Sequence, residues 1–181
     1  MTEDRERLAY QEQEVESSTE DIEQTLQLEN QFKNGARWFY WIAGLSLLNS
    51  VVVLLANGNW NFVIGLGATQ FVDGVALFFL EDLPQESALL VKSIALGVDA
   101  VLIGLFFLFG FLALKGKRAA FIVGIALYAL DGLLFLLLQD WFGLGFHAFA
   151  LFSIFGGLSA LNQLRANIEQ EPDVGKLAEP A

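Results

Sequence analysis

Beyond residue 36 the chain is a succession of long apolar runs separated by short polar breaks. The runs cover about residues 37–56, 61–80, 88–114, 119–138 and 143–164. A helix needs roughly 20 mainly apolar residues to cross the hydrocarbon core of a bilayer, and runs of this length with so few charges are hard to place anywhere else. The 88–114 run carries only Lys92 and Asp99 as charged residues, and the 119–138 run only Asp131. The pattern predicts an all-α, polytopic membrane helix bundle. Trp38, Tyr40 and Trp41 open the first run, at the level where amphipathic rings favour the headgroup region. Pro84 in the polar stretch 81–87 and the basic loop Lys115, Gly116, Lys117, Arg118 separate the later ones.

The 61–80 run is the ambiguous one. Asn57 to Trp60 predicts a turn before it, and Gly65, Gly67 and Gly74 loosen it. Gln70, Asp73 and Glu81 would make one of its sides polar. If this run does not cross, four spans place Lys33, Arg37, Lys115, Lys117, Arg118 and Arg165 on one side and Lys92 on the other, which satisfies the positive-inside rule with both termini cytoplasmic. If it crosses, five spans put basic residues outside in either orientation. The expectation is therefore four transmembrane helices at 37–56, 88–114, 119–138 and 143–164. The 61–80 segment becomes a Gly-rich re-entrant or interfacial helix, with five spans as the alternative. In a bacterium the location would be the cytoplasmic (inner) membrane.

Residues 1–36 differ in kind, with ten acids against Arg5, Arg7 and Lys33. Residues 1–16 read as disorder or weak helix. Ser17 to Glu20 reads as a capping box opening a juxtamembrane helix through about Lys33, which Asn34 and Gly35 interrupt. Ile22 and Leu26 share one face of it, a narrow stripe that suits a solvated helix or a docking helix for a partner. Residues 165–181 form a second polar, cytoplasmic tail in which Pro172 and Pro180 end any helix. The N-terminus lacks the basic patch and short apolar core of a signal peptide.

Composition supports this location: 55% of residues are hydrophobic and 17% charged, and the net charge of −11 resides mainly in the N-terminal segment. Acidity of this order argues against nucleic acid as a partner. Cysteine is absent and there is one histidine, so the usual zinc ligands are missing and no metal or cofactor is expected. Ser46 with Ser50, Ala100 with Gly104, and Ser153 with Gly157 stand four apart, the spacing that lets membrane helices approach closely.

Candidate chemistry lies in the polar residues inside the runs. At about 1.5 Å per residue, Asn49 lies roughly 18 Å in from Arg37, Asp131 roughly 20 Å in from Arg118, and Asp99 roughly 24 Å in from Lys115. Lys92, His147 and Asp73 could join them in one polar cluster open to the outer side. An unpaired carboxylate in hydrocarbon costs about 2.5–3.5 kcal/mol on the insertion scale, so each acid should face the bundle interior. Structural hydrogen bonding between helices accounts for such a cluster. So does proton or cation transport at Asp99 and Asp131, a task that in so small a chain calls for a homo-oligomer. A pair of intramembrane aspartates also invites comparison with aspartyl hydrolysis, but the flanking residues show no matching catalytic signature and no enzyme is expected. The reading the sequence favours is a non-catalytic assembly or accessory subunit in contact with lipid, with a homo-oligomer or another membrane protein as partner.

Overall fold

The computed structural model of the protein describes residues 2–55, 65–80 and 83–170. The Asn57–Trp60 turn, Glu81 and the tail beyond Gln170 lie outside the described residues. Every regular element among them is helical: α1 (Thr2–Ser50), continued by a π-helical turn (Val51–Leu55), then α2 (Gly67–Leu80), α3 (Gln85–Leu114), α4 (Arg118–Leu137) and α5 (Trp141–Gln170). Four of the helices are long and apolar enough to cross a membrane, whereas the 14-residue α2 is not. At 1.5 Å per residue α2 covers about 21 Å of a hydrocarbon core about 30 Å thick. This is the predicted arrangement of four long helices and one short one.

Inward-facing positions recur at three and four residues on each helix. On α4 they are Phe121, Gly124, Tyr128, Asp131 and Phe135, and on α3 Ala95, Asp99, Ile103, Phe106, Gly110 and Ala113. These stripes bring α1 between α3 and α5, set α4 against α3 and α5, and leave α2 against α3 and in touch with α1 and α4. The centre is aromatic. Phe39, fully buried, meets the rings of Phe106, Phe109 and Phe121 at centroid distances of 6.2, 6.0 and 6.0 Å.

The helix ends follow from local chemistry. After α3, the amide of Gly116 donates to the Ala113 carbonyl and that of Lys117 to the Leu112 carbonyl, the Schellman closure, with Gly116 at φ +73°. Gln139 occupies the equivalent left-handed position after α4, at φ +58°, with Gln139 N–H donating to Leu136 and Asp140 N–H to Phe135. Asp140 then begins α5, its Oδ1 accepting from the Gly143 amide at 2.9 Å. Arg165 on α5 donates to the Gly116 carbonyl at 2.6 Å and ties the α3–α4 loop down.

Two expectations about α1 are corrected. The helix neither begins at Ser17 nor breaks at Asn34 and Gly35. Ser17 and Ser18 lie within it, their hydroxyls donating to the carbonyls of Glu14 and Val15. Gly35 marks a helix crossing: a Cβ there would lie 2.5 Å from the Gly157 Cα, so the absent side chains let α1 and α5 meet backbone to backbone. Packing also starts before Arg37, because Leu28, Phe32 and Ala36 are buried. Phe32 contacts Phe121 across 6.1 Å, so the basic end of α4 is level with Phe32 and Arg37 lies deeper. The remaining helices run close to their expected bounds, α5 extending about two turns past Leu164.

Candidate functional site

The six polar candidates do not form a single cluster. They divide, with Lys92 apart on α3, between the N-terminal end and the middle of α2. At its N-terminal end the Asp131 carboxylate accepts from the amides of Gly67 and Ala68, both at 2.8 Å, and lies 2.9 Å from His147 Nε2. The first amides of any helix have no partner within it, and α2 has no capping side chain of its own, since Leu66 stands where Ser, Thr, Asp or Asn would serve. The cap comes from other helices. Asp131 on α4 supplies the charge that the positive end of α2 attracts. Ser46 on α1 accepts from the Leu66 amide at 2.7 Å while donating to the Ile42 carbonyl at 2.8 Å. Glycine is required in this approach, because a Cβ on Gly65 would lie 2.6 Å from Asn49 Nδ2, and one on Gly67 2.6 Å from the Phe135 ring.

His147 completes the cap. Nδ1 faces the Gly143 carbonyl at 3.1 Å, an oxygen that can only accept, so Nδ1 is the donor there. Nε2 faces Asp131 Oδ2, and His147 is only 1% exposed. The ring is clasped between Tyr128, stacked at 4.3 Å and 18°, and Phe135 at 4.5 Å. All of the Asp131 and His147 polar atoms seen here are satisfied.

About 9 Å further along α2 the situation reverses. Asp73, with 2% of its surface exposed, faces Asp99 on α3, with 1%, and Ser50 at the end of α1 adjoins both. None of the four carboxyl oxygens, nor Ser50 Oγ, has a hydrogen-bond partner. The three groups are neighbours, near enough for each to act on the other two. Val53, Ala76 and Ala95 form a small apolar cluster beside them, one from each of the helical segments that carry the three polar groups.

Lys92 is half-buried on α3, two turns outward from Asp99, and Asn49 borders Gly65 at the start of α2. Of the proposed packing pairs, Gly157 is at the α1–α5 crossing, with Ser153 beside it, and Ser46 and Ser50 serve α2 and the acids. Ala100 and Gly104 face outward, with nothing of this chain near a Cβ added to Gly104. Sequence reasoning does not reach Phe135 or the amides of Gly67 and Ala68. The one available signal is a glycine-flanked helix start without a local cap, which implies a cap from elsewhere.

The chain matches no protein-family model, and no curated protein or solved structure matches it.

Proposed function

We propose that this is a multi-pass integral membrane protein with four spans and cytoplasmic termini. In this reading α2 is a half-helix that starts inside the bundle and runs to the outer surface, and the chain serves as a non-catalytic assembly or accessory subunit. Support for the topology is the shared end of the basic residues: Lys115, Lys117, Arg118 and Arg165 gather near Gly116 and Phe32, beside Lys33.

The observation that carries the subunit reading is the continuity of α1. Residues 2–27 precede Leu28, the first buried residue of α1 among those whose burial is described, and continue it as a helical arm about 39 Å long without a break at the junction. Their sequence has nine acids against Arg5 and Arg7. Anionic lipid and a second copy of the arm would both repel such a surface, so its partner is a basic protein surface. Val15, Ile22 and Leu26 are 64, 60 and 52% exposed on one side of the arm and give that partner an apolar seam.

The test is copurification from membranes by full-length chain and by chain lacking residues 2–20. Proteins retained only by the full-length chain, and released by high salt, support the reading. Identical retained sets refute it. Topology is tested separately by single cysteines at Pro84, Gly116 and Gln170, since the chain has no native cysteine. An impermeant maleimide should reach position 84 from outside and the other two only after permeabilisation.

A further inference from the structure

The geometry points to Asp73, Asp99 and Ser50 as a binding site for one small monovalent cation, such as Na⁺ or Li⁺, in competition with a proton. Three helical segments converge on the site and each brings an oxygen: Ser50 from α1, Asp73 from α2, Asp99 from α3. All three side chains are at least 98% buried, and none of their five side-chain oxygens has a hydrogen-bond partner outside the group. Two ionised carboxyls facing one another in apolar surroundings repel strongly, so the pair retains a positive charge between them, either as a proton or as a metal ion.

Among the described residues the surroundings show no cation against these carboxyls. From α1 the neighbour is Ser50, which is uncharged. On α4 and α5 Asp131 and His147 are engaged with one another at the N-terminal end of α2. Lys92 stands two turns outward on α3, roughly 10 Å along the axis from Asp99. The ligand set is hard oxygen only, which excludes metals that prefer nitrogen or sulfur. Five side-chain oxygens fall short of the six to eight that calcium takes, and among the described residues no third acid, histidine or cysteine completes a multivalent metal group. The small residues Ala76, Ala95 and Val53 leave the carboxyls as the polar lining. Uptake of the ion exchanges charge for charge: one cation enters and one proton leaves, so the net charge of the site is unchanged.

This site stands on the bundle interior alone and is independent of what the arm binds. The experiment uses the full-length protein in detergent, titrated with NaCl, LiCl or, as an ionic-strength control, choline chloride. Thermal unfolding and proton release in weakly buffered solution are the readouts. Na⁺ or Li⁺ should raise the unfolding temperature by several degrees over choline, with release of about one proton per chain, and the apparent affinity should weaken as the pH falls. Asp73→Asn and Asp99→Asn each remove a repelling charge while keeping the side-chain shape, so both fold, and both should lose the ion-specific response. Ser50→Ala should weaken it. Asp131→Asn, which loosens the start of α2 without touching the site, should keep it. Equal responses to Na⁺, Li⁺ and choline overturn the proposal, as does an ion-specific response that survives in Asp73→Asn and Asp99→Asn.

Discussion

Replacing Asp131 with alanine tests the claim that α2 is held from its N-terminal end by another helix. The substitution removes the acceptor for two amides, Gly67 and Ala68, each bound at 2.8 Å, and the partner of His147 Nε2. A buried donor left unsatisfied costs about 1–3 kcal/mol, so the two amides together lose roughly 2–6 kcal/mol. The imidazole adds little, because it keeps its Nδ1–H bond to Gly143. The loss is local, since Ser46 still holds the Leu66 amide and the aromatic centre around Phe39 is untouched. Taking about 3 kcal/mol and 1.4 kcal/mol per tenfold, amide hydrogen exchange over residues 67–80 should accelerate by roughly two orders of magnitude. Peptides covering the Gly35–Gly157 crossing should keep their protection. Asp131→Asn keeps one acceptor oxygen and should show about half the effect in free energy. Unchanged exchange in α2, or equal acceleration in every helix, would refute the assignment of Asp131 as the cap.

Gly35→Leu forces side-chain atoms against the backbone of Gly157, where nothing can rotate away, and should destabilise the protein by about 1–3 kcal/mol or more in thermal unfolding. Gly104→Leu, with nothing within 4 Å of its Cβ, should leave the unfolding of the single chain unchanged within about 0.5 kcal/mol. Tyr128→Phe keeps the ring on His147 and removes a buried hydroxyl that has no partner, so stability should stay level or rise. A loss above about 1 kcal/mol would show that the hydroxyl is bonded. Deleting residues 2–20 should not lower the unfolding temperature, because among the residues whose burial is described none before Leu28 is buried.

The number and rough extent of the long helices were legible because apolar run length is a one-dimensional quantity and bilayer thickness translates it directly. What escaped was set by partners. Gly35 reads as a helix breaker in isolation, and only the presence of Gly157 opposite turns it into a contact residue. Depth arithmetic brought Asn49, Asp99 and Asp131 to similar levels, but depth ignores azimuth: α2 enters between them and separates the acid on α4 from the acid on α3. Ser46 and Ser50 were legible as small residues suited to close packing. Their hydroxyls turn out to matter separately, one at the α2 cap and one at the acid pair.

The aspartates at the N-terminal end and at the middle of α2 share a residue type and a buried setting, and they differ in a way that bears on why they are carboxyls. Asp131 meets two amides and an imidazole, so a charge there is matched by donors and a structural role accounts for it in full. Asp73 and Asp99 meet only each other and a hydroxyl, with no donor from elsewhere in the described bundle. For packing α2 against α3, a pair of asparagines would hydrogen-bond across the helices without like-charge repulsion, and a pair of leucines would avoid burying polar atoms at all. Carboxyls are the worst of the three choices for stability, by several kcal/mol if both are ionised and uncompensated. Their advantage over either alternative is the capacity to hold a positive charge that can leave.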